Sequence, residues 1–91
     1  ATQPVEFTLN QNYPNPFNPS TTINYQVPKE AMVTLAIYNA LGEKVATIIN
    51  QVLDAGVYQT RWDAVGFASG TYFVRLEADR YVSVKKMQLV K

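Results

Sequence analysis

Apolar and polar residues alternate along most of this chain, which is the pattern of strands that bury one face. The clearest example runs from Thr21 to Val27, where every second residue is apolar until Pro28 ends the strand. Similar runs recur at intervals of about ten residues, with turn residues between them and no helical periodicity. The pattern therefore predicts an all-β fold, an immunoglobulin-like or fibronectin-like sandwich of about seven antiparallel strands.

The other strands are predicted by the same alternation. They lie at residues 5–9, 33–38, 43–50, 57–62 and 71–78, and the last follows a tight turn at Asp79 and Arg80. In the first of them, Val5, Phe7 and Leu9 are expected to share one face. Residues 43–50 also place apolar side chains at helical spacing, but β-branched residues predominate and the segment is short for a helix, so a strand is predicted.

The last strand contains a break in this alternation. Val82 and Val84 occupy even positions, whereas Met87 and Leu89 occupy odd ones. One face of a regular strand cannot hold all four side chains. The break predicts a β-bulge near Lys85 and Lys86.

The most distinctive segment is residues 9–25, LNQNYPNPFNPSTTINY, which has three prolines before a strand. Each proline restricts its own backbone and favours an extended conformation in the residue before it. Such a stiff segment loses little entropy when it buries side chains, and Tyr13 and Phe17 are expected to bury their rings. The segment is predicted to close one end of the sandwich.

The composition narrows the possible functions. A chain of 91 residues predicts one domain, residues 1–91, in which residues 1–4 read as the end of a linker. The formal net charge of +1 gives no reason to expect a nucleic-acid partner. Cysteine and histidine are both absent, which excludes disulfides, Cys/His zinc sites and His-dependent catalytic triads. No apolar run is long enough for a membrane helix.

Catalysis by carboxylates is the remaining enzymatic possibility, but the acids are not paired convincingly. Glu30, Asp54 and Asp79 fall in predicted turns, and Glu77 on an outward face. Asp63 is expected to cap a turn after Trp62, with a calcium-binding role as the alternative. We therefore expect no enzyme activity, no catalytic residue, no metal site and no cofactor.

Aromatic and basic residues offer a second kind of chemistry. Trp62 and Phe17 are expected in the core. Tyr38, Phe73 and Tyr81 fall on faces predicted to be exposed, where they could form a binding patch. Lys85 and Lys86, on the last strand, could simply protect a sheet edge from pairing with another chain.

A short pattern occurs twice, as Ala55–Tyr58 and as Ser69–Tyr72. Each copy places a glycine, Gly56 or Gly70, at a strand entry and a tyrosine two residues later. This is similar to the tyrosine corner, in which a tyrosine hydroxyl ties a loop to a sandwich strand.

These motifs together resemble the C-terminal sorting domain of type IX secretion substrates, the type A family. The matching segments are LNQNYPNPFNPSTTI, VTLAIYNALGEKV, AGVYQTRWD, SGTYFVRL and KKMQLVK, in that order. The immunoglobulin-like domain of the flagellar hook-capping protein is also similar. Ala64 departs from the family pattern, which often has glycine after Trp-Asp. The motif residues expected to have structural roles are Asn12, Tyr13, Pro14, Asn15, Pro16, Phe17, Asn18, Pro19, Gly56, Tyr58, Trp62, Asp63, Gly70 and Tyr72.

The resemblance implies that the domain is a non-catalytic sorting signal for an attached cargo protein. Such a domain is recognised in the periplasm by the type IX translocon and an outer-membrane shuttle protein, and the cargo then reaches the cell surface or the medium. In much of the family a sortase-like peptidase removes the domain. The family's export information concentrates at the C-terminus, which here corresponds to Lys85, Lys86, Met87, Leu89, Val90 and Lys91. The alternative function is a carbohydrate-binding or adhesive module of a secreted enzyme.

The phase break suggests one mechanism of recognition. A last strand with a bulge and an exposed edge could be extended by a strand of the partner, with backbone hydrogen bonds giving affinity. This hypothesis requires the backbone of the strand around Gln88 to be free.

Overall fold

The computed structural model describes residues 5–90, and it is all-β. Within these residues, seven strands form two antiparallel sheets, as the alternation predicted. The strands are β1 (Thr8–Leu9), β2 (Ser20–Val27), β3 (Ala31–Asn39), β4 (Lys44–Leu53), β5 (Gly56–Asp63), β6 (Gly70–Ala78) and β7 (Tyr81–Leu89). The predicted linker at residues 1–4 and the terminal Lys91 lie outside the described residues.

The sheets contain three and four strands. The smaller has the order β1-β2-β5 and the larger the order β4-β3-β6-β7. The fourth strand therefore pairs with the third strand in the larger sheet, whereas an immunoglobulin constant domain places its fourth strand in the opposite sheet. This arrangement is the fibronectin-like variant of the predicted sandwich, and it leaves β4 and β7 at the two edges of the larger sheet.

The core lies between the sheets and follows the predicted alternation closely in β2 and β6. In β2, Ile23, Tyr25 and Val27 are buried while the residues between them are partly exposed. In β6 every second residue from Tyr72 to Ala78 is buried. β5 buries the face that carries Tyr58 and Trp62, as expected.

Two irregularities in β4 account for its helix-like spacing. The pairing of β3 with β4 shifts between Leu35 and Ala36 and again between Ile37 and Tyr38. Each shift leaves one residue of β4, Ile48 or Val45, without a partner opposite. An extra residue shifts the following side chains to the other face of the strand. Apolar residues that face the core are then no longer always separated by two positions.

The predicted bulge in β7 is wrong. β6 and β7 pair in unbroken register from Gly70 and Leu89 to Ala78 and Tyr81. Met87 and Leu89 face the core, whereas Val82 and Val84 lie exposed on the other side. The strand therefore keeps a regular register and exposes the two valines. β-Branched residues such as valine are well accommodated on a sheet surface.

The first strand is shorter than predicted. Only Thr8 and Leu9 pair with β2, and Val5 is 91% exposed rather than on a shared buried face. Phe7 packs its ring on Tyr81, with the ring centroids 5.4 Å apart. This contact places β1 beside β7 across the gap between the sheets.

The turns follow from their sequences. Asn39 accepts hydrogen bonds from the backbone N–H groups of Leu41 and Glu43 at 2.9 and 3.0 Å, and Gly42 adopts a φ of 84° that glycine accommodates without strain. At the predicted Asp79–Arg80 turn, Ala78 pairs directly with Tyr81, and Asp79 has a φ of 52°.

Tyr25 makes the stability of the core sensitive to alkaline pH. Its ring stacks on Tyr58 at 5.5 Å, and burial, followed by the neighbouring Tyr58, raises its pKa above the usual 10.0. The unfolded chain therefore loses this proton more readily than the folded protein. The contribution to stability is complete below pH 10.0 and is lost as the pH rises from there through the higher folded-state pKa.

We expect the free energy of unfolding to fall by up to about 1.4 kcal/mol per pH unit above that point because of Tyr25 alone. Urea unfolding at about pH 8 and about pH 10.5 measures this loss. Tyr25→Phe retains the ring and removes the proton, so the variant should lose less stability over the same interval. Equal losses in the two proteins would contradict the assignment to Tyr25.

Candidate recognition surface

The described residues that the family resemblance proposes for recognition lie on or beside β7, and they differ in solvent exposure. Met87 and Leu89 are fully buried and belong to the core. Lys85 is half-buried, whereas Lys86 and Val90 are exposed. Among these described residues, only the last two have side chains that are accessible enough to contact a partner.

The proline segment, defined as residues 12–19, runs along the outer edge of β7. The backbone N–H of Phe17 donates to the carbonyl of Gln88 at 3.0 Å, and the N–H of Val90 donates to the carbonyl of Phe17 at 2.9 Å. Phe17 and Leu89 thereby form a parallel β-bridge. The N–H of Gln88 donates to Oδ1 of Asn15 at 3.0 Å.

Gln11, the residue before the proline segment, also binds the edge of β7. Nε2 of Gln11 donates to the carbonyl of Lys86 at 2.7 Å. The carbonyl of Lys86, both backbone groups of Gln88 and the N–H of Val90 therefore have partners within the chain. The expectation of a free edge at this end of β7 is wrong, because the side chains and backbone of residues 11–17 occupy it.

The opposite side of the proline segment binds the smaller sheet. Tyr13 and Thr22 exchange two backbone hydrogen bonds of 3.0 and 2.9 Å, and the N–H of Ala64 donates to the carbonyl of Pro19 at 2.9 Å. The peptide bonds before Pro14, Pro16 and Pro19 are cis. The segment connects both sheets at one end of the sandwich, which confirms the predicted end closure.

A buried polar network stabilises the turn within the proline segment. Nδ2 of Asn12 donates to Oγ1 of Thr21 at 2.9 Å and to the carbonyl of Pro14 at 3.1 Å. The Thr21 hydroxyl donates to the same carbonyl at 2.9 Å. Asn12 and Thr21 are both buried, so these bonds satisfy polar groups that water does not reach.

The two aromatic residues of the segment have opposite environments. Phe17 is 2% exposed and packs on Trp62 with ring centroids 5.8 Å apart, as predicted. Trp62 in turn contacts Phe67 and Tyr72 at 5.4 and 5.7 Å. The prediction that Tyr13 buries its ring is wrong, because Tyr13 is 78% exposed and contributes its backbone instead.

Both Gly-x-Tyr segments form the expected tyrosine corners. The hydroxyl of Tyr58 donates to the carbonyl of Asp54 at 2.6 Å, and that of Tyr72 donates to the carbonyl of Ala68 at 2.7 Å. Each tyrosine thus holds the turn that precedes its own strand. The glycines stand at the first positions of β5 and β6, and Gly70 has a φ of 150°.

Asp63 caps a turn, as predicted. Its Oδ1 accepts a hydrogen bond from the N–H of Val65 at 3.1 Å. Ala64, the departure from the family pattern, is fully buried and does not have a positive φ, so its Cβ causes no backbone strain. Over residues 5–90 we find no group of three or more acidic side chains that could hold a metal ion.

The outer face of the larger sheet brings together residues that are far apart in sequence. Tyr38 in β3 lies opposite Phe73 in β6, and both are half-buried on this face. Lys86 lies opposite Phe73 on the other side, and Lys44 lies opposite Tyr38. The four residues form one row across all four strands, in the order Lys44, Tyr38, Phe73, Lys86, and we call it the aromatic row.

The structure therefore separates the three aromatic residues proposed for a binding patch. Tyr38 and Phe73 are direct neighbours, whereas Tyr81 stacks on Phe7 at the other end of the sheet, beside an exposed ion pair between Lys29 and Asp79 at 3.5 Å. Sequence reasoning missed Lys44 entirely. Its position opposite Tyr38 depends on the second shift in the β3–β4 pairing, which the alternation did not reveal.

The row next to the aromatic row contains the third cation of the face. Arg75 lies between Ala36 and Val84, and its Nη2 donates to Oε2 of Glu77 at 3.1 Å. Its Nε is buried and has no hydrogen-bond partner among the described residues. The acidic neighbour offsets the charge of Arg75, whereas the lysines of the aromatic row have no acidic residue opposite them in the sheet.

Comparison with known proteins decides the family. A family model described as the secretion system C-terminal sorting domain matches residues 11–90. The chain belongs to this family. The matched region of the sorting domain begins at Gln11, whose side chain binds the edge of β7, and ends at Val90, whose N–H binds the carbonyl of Phe17. The match therefore includes both the edge of β7 and the segment that closes it. No curated protein and no solved structure matches the chain.

Membership in the family has a direct consequence for this sorting domain. A type IX secretion tail implies export to the cell surface or the medium. Sorting-signal domains of this kind are generally not catalytic. Within residues 5–90 there is also no helix with the length and apolar character of a membrane span.

Proposed function

We propose that this sorting domain directs an attached cargo protein through the type IX secretion system, across the outer membrane, to the cell surface or the medium. The observation that carries the proposal is the family match over residues 11–90. In this reading the domain is not an enzyme. It crosses the periplasm with its cargo, and its partners are the translocon, an outer-membrane shuttle protein and, in systems that remove the domain, a sortase-like peptidase.

The structure supports a role as a folded signal. The proline segment holds the last strand in place through hydrogen bonds at Gln88 and Val90, so residues 81–90 are an integral part of the sandwich. A partner would therefore meet a rigid surface in which Lys86 has a defined position. Preorganisation of this kind lowers the entropic cost of binding.

A reporter fusion tests the proposal. A folded periplasmic reporter is joined upstream of this chain and expressed in a type IX-competent bacterium and in the same strain lacking a translocon component. We expect the reporter at the surface or in the medium of the competent strain only. The reporter without the domain serves as the control, and retention of the fusion in the periplasm of the competent strain would refute the sorting function.

The second candidate function, carbohydrate binding, rests on Tyr38 and Phe73, which lie side by side on a sheet face. Aromatic faces of this kind can stack on sugars. Affinity electrophoresis of the domain through gels that contain acidic and neutral polysaccharides measures such binding. If the domain migrates unretarded through the whole panel, this function is excluded.

A further inference from the structure

The closed edge of β7 limits how a partner can recognise the sorting domain. A partner strand that added to β7 near Gln88 would have to replace hydrogen bonds already made by Asn15 and Phe17. Phe17 is also anchored in the core by its contact with Trp62. Recognition through side chains requires none of these bonds to break, so the side chains beside Lys86 are the surface to consider.

The aromatic row is the part of that surface that is continuous with Lys86. Adjacent strands in a sheet are about 4.8 Å apart, so three strand intervals place Lys44 and Lys86 about 14 Å from each other, with Tyr38 and Phe73 between them. An apolar centre with charged residues at its rim is the usual composition of a protein interface. Aromatic residues are also frequent at the energetic centre of such interfaces.

The charges of this face specify the partner's chemistry. Lys44 and Lys86 are exposed and have no acidic residue opposite them in the sheet, while Glu77 is engaged with Arg75. The face therefore complements a surface that carries carboxylates around an apolar patch.

We propose that the aromatic row is a docking surface for an acidic protein surface of the export machinery. The two rings pack against an apolar patch of the partner, and each lysine faces a carboxylate. Complementary charges of this kind speed association and exclude unsuitable partners. The inference rests on the proposed sorting function, and it adds three residues, Lys44, Tyr38 and Phe73, that lie far from the C-terminus in sequence.

Charge reversal tests the electrostatic half of the proposal without changing residues near the terminus. In the reporter fusion, Lys44→Glu is expected to lower the rate of export by about tenfold, because a like charge then faces the partner's carboxylate. Arg61→Glu is the matched control, since Arg61 is exposed on β5 in the other sheet. It makes the same change in net charge and should leave export within about twofold of the parent.

The aromatic half is tested by cross-linking. A photoreactive phenylalanine analogue at position 73 is expected to cross-link the exported fusion to an outer-membrane component of the type IX machinery, identified by mass spectrometry. The same analogue at Val57, which is exposed on β5, is the control. The cross-link at position 73 should weaken at least severalfold when Lys44→Glu is present. Circular dichroism and thermal unfolding of each variant establish that the fold is retained.

The outcomes are distinguishable. If the parent fusion stays in the periplasm, both the sorting function and the docking surface are refuted. If the parent is exported and Lys44→Glu is exported equally well, or position 73 gives no more cross-linking than position 57, only the docking surface is refuted. If acidic polysaccharide retards the parent domain and Phe73→Ser abolishes the retardation, the face binds sugar and the protein partner is refuted.

Discussion

Replacing Phe17 with alanine is expected to lower the free energy of unfolding by about 3–5 kcal/mol. Phe17 is 2% exposed, and its ring packs on Trp62 at the end of the core. Truncation removes buried apolar surface and leaves a cavity that the surrounding aromatic residues cannot fill completely. A loss of this size is a large part of the stability of a small domain.

The same substitution should also open the edge of β7. The backbone of Phe17 binds Gln88 and Val90, and its anchored ring holds that backbone in place. Hydrogen exchange at the amide of Val90 is therefore expected to accelerate more than exchange at amides in the centre of β6. Urea unfolding gives the change in stability, and exchange followed by NMR gives the local effect.

Tyr13→Ala is the matched control for this prediction. Tyr13 is the other aromatic residue of the same segment, but its side chain is 78% exposed. Its loss should change the free energy of unfolding by no more than about 0.5 kcal/mol. Similar losses of stability for the two alanine variants would contradict the assignment of Phe17 as the anchor of the segment.

Asn12→Ala is expected to destabilise the domain by about 1–3 kcal/mol, although it removes only a small polar side chain. Asn12 is buried, and its amide bonds to the Thr21 hydroxyl and to the Pro14 carbonyl. Without the amide, the Pro14 carbonyl still accepts a hydrogen bond from the Thr21 hydroxyl. The Thr21 hydroxyl, however, loses the group that donates a hydrogen bond to it. Water cannot readily replace the missing partner in a buried site.

Asn50→Ala provides the comparison for Asn12. Asn50 is exposed on β4 and bonds through its side chain to Thr34 at 3.3 Å. We expect this variant to change stability by less than about 0.5 kcal/mol in the same urea titration. If Asn12→Ala costs no more than Asn50→Ala, the network is not what fixes the turn of the proline segment.

The alternation of apolar and polar residues predicted most of the fold, because a regular strand buries every second side chain. β2, β5 and β6 follow this rule and were predicted within a residue or two of their bounds. β4 and β7 show where it fails. Two pairing shifts altered the phase in β4, and in β7 the exposure of Val82 and Val84 mimicked a shift that the pairing does not contain.

The candidate site was less accessible from sequence than the fold. The family resemblance pointed to Lys86, and the alternation grouped Tyr38 and Phe73 as possible surface aromatics. The alternation also included Tyr81 and omitted Lys44. Whether residues on different strands are neighbours depends on strand order and register, which arise from pairing across the whole sheet. The row that joins these residues exists only because β3 pairs with both β4 and β6.

The sequence by itself determined the all-β class, the main buried faces, the tyrosine corners and, through its motifs, the family. These features depend on local periodicity and on residue types at short spacing. Only the tertiary structure decided that Phe17 is buried while Tyr13 is exposed, and that the proline segment occupies the edge of β7. The position of the proline segment depends on contacts between residues more than seventy positions apart, such as Asn15 and Gln88. A local sequence pattern does not specify which distant residues will contact each other.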